Sequence, residues 1–201
     1  MSPQPENSSA AETTEPPPLS PEERAELLRL AHEAIAVALS GGHLELNPAS
    51  PRLLEPRGAF TTLHLDGHLR GCVGYVYPVK PLVRTVAETA AAAAFNDTRF
   101  APVTPEEAAR LKVEISVLSP ILPIDPEDIQ IGRHGLVVTL GSRRGLLLPQ
   151  VATEFGWDAP AFLAETCHKA GLPLDAWERG AVIEAFTAEA FHEDGFLPTG
   201  K

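Results

Sequence analysis

The sequence predicts an α+β domain built from antiparallel sheets with helices packed around them. Three observations carry this. Asp66 and Gly67 stand between two strand-like runs, the signal of a two-residue hairpin turn. Residues Lys112 to Leu118 alternate apolar and polar side chains strictly, as a half-buried strand does. Helical and extended segments follow one another with no repeated strand–helix–strand unit and no internal repeat.

Each element can be justified in order. Residues 1–19 are rich in Pro, Ser, Glu and Thr and nearly lack large apolar side chains, so they are expected to be a disordered tail, dispensable for folding. Ser20, Pro21 and Glu23 form a helix start with a capping box, and Leu27, Leu28, Ala31, Ile35 and Leu39 recur at helical spacing until Gly41 and Gly42 stop them. The hairpin follows over 58–75. Counting outward from Asp66-Gly67 pairs Leu65 with His68, Leu63 with Arg70 and Thr61 with Cys72. Arg70, Cys72 and Thr61 are then expected on one face, and Phe60, Thr62, His64, Leu69 and Val73 on the other.

Pro81 opens an Ala-rich helix to about Phe95, with Leu82, Val86, Ala90 and Ala93 as its buried stripe. Asn96 to Phe100 leaves that helix, and Thr104, Pro105 and Glu107 start a short one. In the strand at 112–118, Val113, Ile115 and Val117 share one face while Glu114, Ser116 and Leu118 share the other. Residues 119–133 read as a Pro-rich connection. A strand at 135–140, a turn over Gly141 to Gly145 and a return at 146–148 come next. Pro149 begins a short helix with Gln150, and Asp158 caps another that carries Cys167 on its apolar side. Residues 181–191 read as one late strand. The expected domain is 20–193, with 194–201 as a C-terminal tail.

Composition excludes several function classes. The 201 residues are 44% hydrophobic, enough for a core, and no run approaches the ~20 apolar residues of a membrane span. The N-terminus has neither a basic region nor an apolar run, so a cytoplasmic protein is expected. A formal net charge of −11 argues against nucleic acid as a partner. Cys72 and Cys167 form no paired motif, so neither a disulfide framework nor a cysteine zinc site is expected. The histidines show no metal-ligand spacing, and no phosphate loop, dinucleotide fingerprint or serine nucleophile motif occurs, so no metal and no cofactor is expected.

What remains is one polar constellation. Cys72 lies between Gly71 and Gly74, which leave room for close backbone approach and are expected to contact substrate. Arg70, two residues away, favours the reactive thiolate. Cys72 is thus a nucleophile or substrate-contacting thiol, or else a small buried hydrophobe. Arg70, Arg99 and Arg144 suit bidentate recognition of an anionic small molecule if they converge. Asp97 and Glu114 would be their ion-pair partners, or acid–base groups if buried.

Several segments together resemble a known family. Leu69 to Gly74 (LRGCVG) resembles the hallmark segment of the AMMECR-one domain family. Gly58 to Leu63, Asn96 to Phe100, Val113 to Pro120 and Arg144 to Gln150 resemble four further blocks in the same order. The resemblance spans about residues 21–193, with Val73 where isoleucine is usual and Thr98 where proline is common. It implies a two-lobed α+β fold and an association with Memo-like and radical-SAM proteins, without fixing a reaction. The resulting expectation is an enzyme or enzyme component. Its cleft would lie between the Arg70–Cys72 strand, the Asp97–Arg99 turn and the Glu114/Ser116 strand, with Arg144 and Gln150 at its edge. The alternative is a non-catalytic module that binds those proteins.

Overall fold

In the computed structural model, residues 17–193 are described; the predicted tails over 1–16 and 194–201 lie outside them. Two four-stranded antiparallel sheets form the frame. The first has strands β1 (Ala59–Leu65), β2 (His68–Tyr75), β3 (Lys112–Leu118) and β8 (Ala188–His192), in the order β2-β1-β3-β8. The second has β4 (Leu122–Pro123), β5 (Gly135–Leu140), β6 (Arg143–Leu147) and β7 (Val182–Phe186), in the order β4-β7-β5-β6. The expected α+β class with antiparallel sheets is what is found.

Helices α1 (Pro21–Ser40) and α2 (Leu82–Phe95) cover one face of the first sheet. Their apolar stripes meet Ala59, Leu63, Val113, Ile115 and Val117 in the larger core. α1 buries Leu27, Leu30, Ala31, Ala34 and Ile35, whereas Leu39 at its far end stays exposed. α3 (Pro105–Ala108) packs Ala108 against the same core, and its capping box on Thr104 and Glu107 forms as its sequence predicts. α4 (Pro149–Phe155) and α5 (Ala159–Lys169) belong to the second sheet, where Phe162, Leu163 and Cys167 are sealed against Leu136 and Val138. A small cluster of Leu118, Val137 and Phe186, with Phe60 and Leu148 beside it, joins the lobes.

Three expectations need correction. Leu19 is not tail: it is buried in the larger core, its N–H donates to Glu189, and Arg52 holds the carbonyls of Pro17 and Pro18. The late strand at 181–191 is two strands. It breaks at Thr187, so β7 closes the second sheet and β8 the first. The turn after β5 is only Gly141 and Ser142, because Leu140 already pairs with Arg143. Arg144 therefore sits inside β6 and not in a turn.

The fourth correction bears on function. Asp66-Gly67 does set Leu65 opposite His68, as the turn predicts. The next pairs are His64 with Leu69 and Leu63 with Gly71, so Arg70 is an extra residue, a β-bulge on the edge strand. Beyond it the register is shifted by one. Cys72 pairs with Thr62 and not with Thr61, and Val73 takes Thr61. A one-residue slip exchanges the faces of every side chain beyond it. Cys72 therefore shares its face with Phe60, Thr62 and His64, the set the uninterrupted register put on the other side.

Candidate functional site

The bulge gathers a row of polar side chains on the face of the first sheet that the helices leave open. Directly paired residues run Cys72, Thr62, Glu114 and His192 across β2, β1, β3 and β8. Thr62 Oγ1 donates to Cys72 Sγ at 3.2 Å. His64, two residues along β1, brings Nε2 to 3.9 Å from Glu114 Oε2. Ser116 lies one step nearer the second lobe, paired with Phe60 and Ala190. Cys72 is half-buried, which leaves its sulfur neither sealed nor fully exposed.

His64 is buried, and burial pushes its pKa below the usual histidine value; the Glu114 carboxylate pulls the other way but is the smaller influence. A folded-state pKa below the unfolded one means that the unfolded chain binds the proton first. Stability from neutral His64 is then present above the unfolded value near 6.5 and is lost as pH falls below it. His64→Gln is expected to flatten the fall of the melting temperature between about pH 6.5 and pH 5. An unchanged slope in thermal melts would show that His64 does not carry it.

Asp97, just past the end of α2, organises the sheet edge. Its Oδ2 accepts the backbone N–H of Cys72 at 2.9 Å and Arg99 Nη2 at 2.7 Å. Its Oδ1 accepts Arg99 N at 3.2 Å and Arg99 Nε at 3.0 Å. The Arg99 guanidinium first, and the Cys72 N–H next, hold this carboxyl well below the usual carboxylate range. Asp97 is thus a fixed anion that orients its neighbours, the ion-pair alternative of the two roles expected for it. An edge strand otherwise offers unpaired N–H groups to any passing chain, and here the carboxylate caps one of them.

Arg70 does not stand beside Cys72 as expected. The bulge sends it to α3, where Nε and Nη2 donate to both oxygens of Glu107 at 3.1 and 2.9 Å. Its Nη1 is buried and has no hydrogen-bond partner among the described residues. The cation that does adjoin Cys72 is Arg99. Both guanidinium groups lie over the Phe100 ring, at 5.9 Å for Arg70 and 5.5 Å for Arg99.

Gly71 and Gly74 do admit close approach, but the partner is the protein itself. A Cβ on Gly71 would lie 2.1 Å from the carbonyl oxygen of Ala93 on α2. One on Gly74 would strike the ring of Phe60. Their expected role in substrate contact is replaced by packing. Arg144 and Gln150 are also away from Cys72. Arg144 pairs with Glu184 at 3.1 Å and lies over Tyr77 at 4.5 Å. Gln150 lines a separate cavity of about 590 Å³ with Pro17, Gly132 and Glu189. Neither that cavity nor the one of about 150 Å³ between Ser119 and Phe186 is lined by Cys72, Thr62, Glu114 or Arg99. The expected cleft around Cys72 is neither of these two cavities.

Thr62 and His64 keep the face their strand predicts; it is Cys72 that the bulge moves onto it. A bulge at Arg70 was the one change needed to find this row, and a charged residue before a Gly in an edge strand was the only hint.

The chain has relatives elsewhere. The model of the AMMECR1 family matches residues 28–191. A protein of Methanothermobacter thermautotrophicus is 47% identical over 188 residues, which cover 89% of this chain and 98% of that one. A protein of Methanopyrus kandleri is 46% identical over 188 residues, 88% of this chain and 91% of its own length. The crystal structure of an uncharacterized protein from Pyrococcus horikoshii matches the fold with a TM-score of 0.71 at 43% identity, covering 88% of this chain and 93% of that one.

Proposed function

The chain belongs to the AMMECR1 family, and on that premise we propose that it is an enzyme, or a component of one, that works through the Cys72 thiol on the open face of its first sheet. The observation that carries this reading is the Thr62 hydroxyl donating to Cys72 Sγ at 3.2 Å. A hydrogen bond given to sulfur favours the thiolate, the form that attacks carbon or binds a soft group. Arg99 supplies the neighbouring positive charge, and Asp97 fixes its position. Glu114 is the carboxylate of the row, and His64 stands beside it; together they are the groups able to exchange a proton with a bound molecule. In this reading Memo-like and radical-SAM proteins, the partners that the family resemblance implies, act with the chain in the cytoplasm. Among the described residues no helix is long and apolar enough to cross a membrane.

A second reading has one observation in its favour. The Cys72 row lies on an open face and lines neither of the two cavities above, which suits a module that docks a partner protein.

Alkylation of the native protein separates the two. Cys167 is fully buried, and burial pushes its thiol pKa up, so it is expected to react only on unfolding. Native wild type and Cys167→Ser are expected to take up a single label promptly, and Cys72→Ser none. A native protein that takes up no label until denaturant is added would remove the thiol chemistry and leave the docking module.

A further inference from the structure

The reading of Cys72 as a working thiol leaves open what it would act on, and the inference below rests on that reading. Arg99 has a side chain 55% exposed, beside the edge strand at Cys72. One oxygen, Asp97 Oδ2, bonds both its Nη2 and the Cys72 N–H, so the guanidinium is held in register with the thiol's own residue. Phe100 supports its face. Asp97 takes the side-on edge of the guanidinium, Nε with Nη2. A guanidinium has five N–H donors. The end-on fork, both Nη1 protons and the second Nη2 proton, makes no hydrogen bond among the described residues. That fork matches the two oxygens of a carboxylate or phosphate group.

The contrast with Arg70 is informative. Arg70 is 12% exposed and its carboxylate partner takes both Nε and Nη2, so it is locked into the helix layer. Of the two cations on Phe100, Arg99 is the one that faces solvent. Of the acidic groups nearby, Glu107 is engaged with Arg70 and Asp97 with Arg99, while Glu114, two strands from Cys72, faces His64. The hydrogen bonds to Asp97 first, with the Asp97 charge and a smaller influence from neighbouring Cys72, hold Arg99 in its charged form against desolvation. The chain as a whole carries −11, so no general field draws anions in. Whatever attracts an anion to Cys72 must be local.

We propose that the open face takes a substrate with an anionic group, carboxylate or phosphate, seated on the end-on fork of Arg99, with its reacting end over Cys72 Sγ. Binding this way needs no movement of Asp97, because the two anions use different edges of one guanidinium.

The test compares two alkylating reagents of similar size, iodoacetate (anionic) and iodoacetamide (neutral), on the Cys167→Ser protein. Each forms the same S–C bond at Cys72 and releases iodide. The ratio of the two rates in the native state is set against the ratio for the same protein unfolded in urea. A native ratio raised about five-fold is expected, the effect of one partly exposed charge pair. It should fall to the unfolded value in Arg99→Gln and in high salt, and be kept only in part in Arg99→Lys, which has the charge without the fork. Protection from iodoacetate by inorganic phosphate, compared with acetate at equal ionic strength, then tells a phosphoryl group from a carboxylate. If Cys72 reacts readily with both reagents and the native ratio equals the unfolded one, the anionic substrate is overturned while the thiol reading stands. If Cys72 reacts with neither in the native protein, the thiol reading itself falls.

Discussion

Gly71→Ala is expected to lower stability by about 3 kcal/mol, the upper part of the range for forcing extra volume into a packed core. For a domain of this size that is roughly 6–12 °C in melting temperature. The atom its Cβ would meet is not a flexible side-chain end but the Ala93 carbonyl oxygen at 2.1 Å, with the carbonyl carbon at 3.0 Å. To relieve the clash α2 must lift from β2, and α2 carries Leu82, Val86, Ala90 and Ala93 into the larger core. Gly74→Ala is the control. Its new methyl meets the Phe60 ring, a side chain that can turn, so its loss should be smaller and partly recovered in Gly74→Ala with Phe60→Leu. Thermal melts of the three variants decide this. A Gly71→Ala protein that melts with wild type would mean that α2 does not pack on the strand as described.

Asp97→Ala should cost about 2–3 kcal/mol and alter Cys72 at the same time. The carboxylate is 7% exposed along its side chain and accepts from Cys72 N and from three nitrogens of Arg99. Hydrogen bonds to a charged group contribute about 1.5–3 kcal/mol, and removing the acceptor leaves the Cys72 N–H at the sheet edge without its cap. Arg99 is then free to swing away, so the native preference of Cys72 for iodoacetate over iodoacetamide should fall even where the protein is still folded. The pH dependence follows from the depressed carboxyl. Its folded pKa lies below the unfolded value near 3.9, so its contribution is complete above that value and is lost as pH falls through the acid range. Wild type and Asp97→Asn should therefore differ most at neutral pH, and the difference should narrow as pH falls below about 4. Equal melting temperatures at pH 7 would show that the Asp97 cluster stabilises nothing.

Much of the chain could be read from local chemistry. The capping boxes at Ser20 and Thr104, the Asp66-Gly67 turn, the buried stripe of α2 and the alternation of β3 all depend on contacts within a few residues, and each formed where expected. The face shared by Glu114 and Ser116 was legible for the same reason. Other features were not. Arg70 and Cys72 looked like neighbours because residues two apart in a strand share a face. That rule holds only while both strands advance together.

Gly71 and Gly74 show the same limit from another side. Their small size was read as space for a substrate, but the space is occupied by α2 and by Phe60, elements that no local rule brings to that spot. Arg144 and Gln150, expected at the edge of the Cys72 site, lie instead at the lobe junction and in a separate cavity.

The sequence by itself determined most of the elements and their order, the α+β class and the family, because helix caps, turns and hydrophobic periodicity are local properties of the chain. Only the tertiary structure decided that Arg70 bulges out to Glu107, that Thr62 and not Thr61 meets Cys72, that the chain crosses between sheets at Thr187, and that Arg99 is the cation beside the thiol. The physical reason is that a bulge costs little in the strand that bears it and is fixed by packing at a distance, here by Ala93 on α2 and Glu107 on α3.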